Sequence, residues 1–134
     1  MIADKLADQK EILFRQIHPH FFDNGEPSSN RFMPSEKDKN KLSVDRSSLT
    51  TAEQSHSLYV SSGYQSVAVF GLTVGEFTVE DISCWSDPIL ATEMSLANPA
   101  HSLADYSSHV PNKQKLIAKR LKRAAITRGC LFNS

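Results

Sequence analysis

Cysteine is almost missing from this chain. Its two thiols, Cys84 and Cys130 among 134 residues, form no C-x-x-C pair, which leaves a disulfide framework or a thiolate zinc site without support. No G-x-S-x-G elbow, no P-loop and no G-x-G-x-x-G occurs, and this removes the usual α/β-hydrolase, nucleoside-triphosphatase and Rossmann readings. Nowhere do about eighteen apolar residues follow one another, so no membrane span is expected. The opening Met1-Ile2-Ala3-Asp4-Lys5 places charges where a signal peptide needs an apolar run, and the expected location is the cytoplasm. Acids are absent from the last 24 residues, which carry seven Lys/Arg, while the first 110 carry eight Lys/Arg against fifteen acids. A net charge of zero thus hides a body of −7 joined to a tail of +7.

That segregation constrains partners. The tail can meet nucleic acid, an acidic protein, or its own acidic body. Lys113, Lys115, Lys119, Arg120, Lys122 and Arg123 surround the aliphatic positions Leu116, Ile117, Leu121, Ala124 and Ala125, the pattern of a helix over 112–128 capped by Asn112 and stopped by Gly129. A protein partner for this helix or for the acidic body outranks nucleic acid, because no aromatic is interleaved to stack a base.

Size and balance fit one domain over 1–134, with 40% hydrophobic and 22% charged residues. Residues Ile2 to Lys10 read as a short helix. Ile12 to Ile17 reads as a strand halted by His18-Pro19. The stretch 20–40 is rich in Asp, Asn, Gly, Pro and Ser and reads as a long irregular loop, pinned by Phe21, Phe22, Phe32 and Met33. Lys41 to Asp45 reads as a strand, followed by a helix whose start carries the capping box Thr50-Thr51-Ala52-Glu53 and whose stop is Gly63. Ser66 to Val74, apolar on both faces, reads as a central strand, with Gly71 marking a bulge or a close approach. Residues 83–99 read as irregular and His101 to Tyr106 as a strand. The sum is an α+β domain, a small mixed sheet of three to five strands with two or three helices.

Three groups invite chemistry. His18-Pro19-His20 sets two imidazoles near one another, but Pro19 spoils the alternation that would aim both at one ion, so a His18 bonded to backbone is the preferred reading and no metal is assigned. Serine is too abundant for any Ser-His-Asp assignment. Arg15, flanked by Leu13, Phe14 and Ile17, needs an anion or several acceptors to offset its desolvation. An acid of the same chain, Glu53 or Asp45, or an outside carboxylate or phosphate would serve.

The order Phe14-Arg15, Arg31-Phe32, Leu42-Ser43-Val44 and Thr51-Ala52-Glu53 resembles the RES-domain toxins, relatives of ADP-ribosyltransferases. The match spans Leu13 to Glu53. The resemblance implies that Arg15 grips the pyrophosphate of NAD as substrate, with Arg31 and Ser43 also binding the dinucleotide. It further implies that Glu53 assists cleavage at the nicotinamide ribose and that the 20–40 loop covers the ligand. The serine of the family's third motif has three equal candidates, Ser83, Ser102 and Ser107. A non-enzymatic interaction module, of the immunity, antitoxin or accessory-subunit kind, is the alternative.

Overall fold

The computed structural model describes residues 4–134. A six-stranded sheet in the order β6-β7-β4-β1-β5-β8 forms its centre, with β1 at Ile12–Ile17, β4 at Lys41–Arg46, β5 at Ala68–Thr73, β6 at Ser83–Ser86, β7 at His101–Asp105 and β8 at Phe132–Asn133. A separate hairpin pairs β2, Phe22–Asp23, with β3, Glu26–Pro27. The α-helices are α1 at Ala52–Ser61, α2 at Val74–Val79 and α3 at Pro111–Arg128. The α+β class holds. The sheet has more strands than the three to five expected and, among the described residues, every ladder is antiparallel rather than mixed.

The alternation of β1 explains the layering. Leu13 and Ile17 join the core with Ile117, Leu121 and Ala125 of α3, whereas Gln16 on the opposite face donates to the Ser55 hydroxyl of α1 at 2.8 Å. A strand that serves two helices must be apolar or satisfied on both sides.

Several local expectations shift. Of the helix expected over Ile2 to Lys10, residues 2 and 3 lie outside the described residues, and 4–10 are not helical. Leu6 N–H donates to the Cys84 carbonyl and Ser86 N–H to that of Asp4, so this segment runs along the outer edge of β6. Nine residues are too few to hold an isolated helix, and burying Leu6 against the sheet wins. Residues 83–86, expected to be irregular, form β6, because Cys84 buries inward while pairing with Ala104. In α3 the first helical residue is Pro111 and Val110 occupies the cap position without a side-chain bond, so Asn112 is not the cap. Leu116 points outward, 51% exposed, and its place in the buried stripe goes to Ala118. Gly71 sits where a Cβ would meet Leu131 Cδ1 at 2.6 Å and Ile12 Cγ2 at 2.7 Å, the close-approach reading of that residue.

The stretch 20–40 is built of short pieces: 3-10 turns at Pro19–Phe21, Ser29–Phe32 and Glu36–Asp38 around the β2–β3 hairpin. Phe32 is fully buried, and Tyr106 fixes its carbonyl by donating a hydrogen bond from the core.

A fork lies between β1 and β4. Their ladder has only two register pairs, Leu13↔Arg46 and Phe14↔Asp45, whereas β1 keeps six with β5. Its closed end is clamped by Glu11, whose carboxylate accepts from Arg46 Nε and Nη2 at 3.0–3.2 Å and from the N–H and hydroxyl of Ser48 at 3.1 and 2.6 Å. Burial alone would raise the Glu11 pKa, but these four donor groups outweigh it and hold the carboxyl below its ordinary value. A depressed carboxylate contributes stability above its unfolded pKa and loses it as pH falls through the folded one. Glu11→Gln is therefore expected to cost roughly 2–4 kcal/mol near neutral pH. In chemical denaturation at descending pH, the gap between the two proteins should begin to narrow below the ordinary glutamate value of 4.5 and close as the folded carboxyl is protonated; a gap that stays constant into acid would contradict the clamp.

Candidate functional site

Past Phe14 and Asp45 the two strands separate, and their facing carbonyls lose strand partners. Two guanidinium groups take them. Arg15 donates from Nη1 to the Ser43 carbonyl of β4 at 3.0 Å and from Nε to the Arg31 carbonyl at 2.7 Å. Arg31 donates from Nη2 to the Gln16 carbonyl of β1 at 2.9 Å. A planar fork of donors suits this task better than an ammonium point charge. The side chains thus replace ladder bonds and hold the fork open.

The opening leads into a cleft of about 1210 Å³ lined by Arg15, Arg31, Ser43, Asp45, Tyr59 and Tyr64, among others. Its outer rim is the 87–99 segment, held by paired bonds between Ile89 and Asn98. Among the described residues no carboxylate forms a salt bridge with Arg15 or Arg31, so neither Asp45 nor Glu53 is the internal partner of Arg15. Burial, with the neighbouring Arg31 adding to it, pulls the Arg15 pKa down to about 9, which still leaves it cationic at neutral pH. Burial likewise lowers Arg31, with Tyr59 opposing the shift. The Arg31 Nε is buried and, among the described residues, has no hydrogen-bond partner. Bonds from a charged donor return about 1.5–3 kcal/mol each, so the carbonyls offset part of the desolvation, and Asp38 opposes the rest only through space, without a salt bridge to either guanidinium among the described residues. The arrangement favours an anion with several oxygens.

Asp45 lines the same cleft from the α1 side, its Oδ2 accepting from the Ser55 hydroxyl at 2.7 Å and its Oδ1 from Asn98 Nδ2 at 2.9 Å. Ser55 in turn accepts from Gln16 Nε2, whose Oε1 accepts from the Ser66 hydroxyl at 2.8 Å. At the mouth Tyr59 and Tyr64 stack with ring centroids 4.9 Å apart, and Tyr64 is 60% exposed.

Arg15, Arg31 and Ser43 are thus brought together. Glu53 is not among them. The helix cap is Thr51, which accepts from the Gln54 N–H at 3.2 Å, so the box expected at Thr50 and Glu53 is absent and Glu53 sits exposed in the first turn, outside the cleft lining. The reciprocal box forms instead at Thr73 and Glu76 of α2. Ser83, Ser102 and Ser107 do not line the cleft either. His18 accepts the His20 N–H through Nδ1 at 3.0 Å, the backbone role preferred for it. In α3, Arg120 pairs with Glu80 at 2.7 Å and Arg128 with Glu76 at 2.9 Å, so the acidic body neutralises part of the tail.

The residues that the sequence left unmarked are Tyr59, Tyr64 and Asn98. Their only signal is distance in space, which the local pattern does not carry. The chain matches no protein-family model, no curated protein and no solved structure.

The paired cations should bind pyrophosphate. Millimolar pyrophosphate is expected to raise the melting temperature by several degrees through mass action, and Arg31→Met should remove the increment. An equal rise in the variant would place the anion elsewhere.

Proposed function

We propose that this protein binds NAD in the cleft between β1 and β4 and cleaves its nicotinamide–ribosyl bond, in the manner of the RES-domain toxins that its sequence resembles. The observation that carries this reading is the Arg15–Arg31 pair, two guanidiniums with, among the described residues, no acid bonded to either and one buried N–H without an acceptor. A pyrophosphate offers the doubly charged, multi-oxygen partner this pair lacks. The cleft, about 1210 Å³, has room for both nucleosides, and the exposed ring of Tyr64 offers a surface for an aromatic base.

In this reading the arginines fix the dinucleotide, which converts cleavage into a reaction of an oriented substrate. Bond breaking develops positive charge on the ribose, and a carboxylate near the anomeric carbon stabilises it. The N-terminal half of the chain supplies both walls of the fork, the same stretch that carries the resemblance.

The alternative, a protein-interaction module, is favoured by the outward face of α3, where Lys113, Lys115, Lys119, Lys122 and Arg123 form no ion pair among the described residues. It needs no cleft and leaves the arginine pair unexplained, and for that reason it ranks second.

Purified protein incubated with NAD is expected to release nicotinamide, and Arg15→Ala should lower the rate at least about 100-fold, the scale set by losing a transition-state contact. Release by Arg15→Ala at the unaltered rate would take the fork out of the reaction.

A further inference from the structure

If the cleft cleaves NAD, it needs a carboxylate inside it, and the residue expected for that role lies outside. We propose that Asp45 is the carboxylate that faces the anomeric carbon; this rests on the reading of the cleft given above and names a different residue for its chemistry.

The cleft holds four carboxylates. Glu36 and Glu93 are exposed and make no side-chain hydrogen bond, and Asp38 is engaged with the N–H and hydroxyl of Ser35. Asp45 alone is fixed by two side chains from separate elements, Ser55 of α1 and Asn98 beyond β6. Both donors are neutral, and among the described residues no cation lies within salt-bridge distance, so its charge is held in place but not cancelled. Each carboxylate oxygen has accepted one side-chain bond and keeps a further lone pair. The chain of bonds behind it runs from Ser55 through Gln16 to Ser66, three buried residues that restrict the rotation of the group.

Its place on the fork is equally specific. Asp45 is opposite Phe14 in the last register pair before the strands part, and the next residue of β1 is Arg15. In this inference a pyrophosphate held by the arginines lays the adjoining ribose across the apex of the fork, toward the Asp45 side of the cleft. There the bond from C1′ to the nicotinamide nitrogen breaks, its electron pair leaves with nicotinamide and quenches the ring charge, and the negative Asp45 stabilises the ribosyl cation. Water then adds to C1′, and its proton passes to the Asp45 carboxylate and on to solvent. NAD and water give nicotinamide, ADP-ribose and a proton.

The test uses the intact protein with NAD, measuring binding by calorimetry and turnover by nicotinamide release. Asp45→Asn keeps the shape and removes the charge; it is expected to bind NAD within about threefold of the unaltered protein while kcat falls about 100-fold or more. Ser55→Ala, which leaves the carboxylate but frees one oxygen, should lower kcat several-fold at constant KM, and it serves if Asp45→Asn does not fold. Turnover within threefold of normal in both variants, with NAD binding and cleavage intact in the unaltered protein, overturns the role of Asp45 alone. A 100-fold loss in Glu53→Gln with none in the Asp45 and Ser55 variants returns the role to Glu53. Absence of NAD binding by the unaltered protein overturns the cleft reading itself, and this inference with it.

Discussion

The separation of β1 from β4 after two residue pairs is the constraint on which the rest of this molecule depends. An open seam in the middle of a sheet exposes peptide groups that cost about 1–3 kcal/mol each when buried without partners. Here the seam is closed at one end by the Glu11–Arg46 clamp and filled at the other by Arg15 and Arg31. Because arginine donors stand in for ladder bonds, the fold carries cations at the centre of its sheet. Those cations define the cleft.

This dual duty sets the electrostatics. The guanidiniums are structural toward the carbonyls of Ser43, Arg31 and Gln16 and functional toward the opening. Two like charges that satisfy backbone acceptors have, among the described residues, no acid bonded to them, and Asp38 acts on both only through space, a state that an anion relieves. The far strand of the fork carries Asp45, which lines the same cleft and, among the described residues, forms no salt bridge with either arginine. Positive and negative groups lining one cleft, each held by neutral partners, are the arrangement a polar transition state requires.

Much of the fold was legible where the signal is local. Ile12–Ile17 is a strand with the bounds read from its apolar run and the Pro19 stop, and Lys41–Arg46 and His101–Asp105 follow closely. The errors arise where tertiary contact decides. The segment Ile2–Lys10 has helical spacing, but its described part from Asp4 to Leu6 is claimed by the edge of β6, and Cys84-Trp85 makes a strand only because β7 lies beside it. Asn24-Gly25, with φ of 53° and 79°, is the turn signal of the β2–β3 hairpin, and it stood in a stretch read by composition as loop. At the site, Arg15 was conspicuous as a charge in an apolar strand. The capping pattern misplaced Glu53 because Thr50 and Thr51 are equivalent by sequence, and choosing Thr51 turns the glutamate outward.

The most direct measurement is a crystal structure of the protein with ADP-ribose, which carries the pyrophosphate but no scissile bond. Phosphate oxygens are expected within hydrogen-bond distance of Arg15 and of Arg31 Nε, the buried donor that lacks an acceptor among the described residues, with the sheet fork unchanged. A ligand bound away from both arginines, or a fork that zips shut into a continuous β1–β4 ladder, would contradict it.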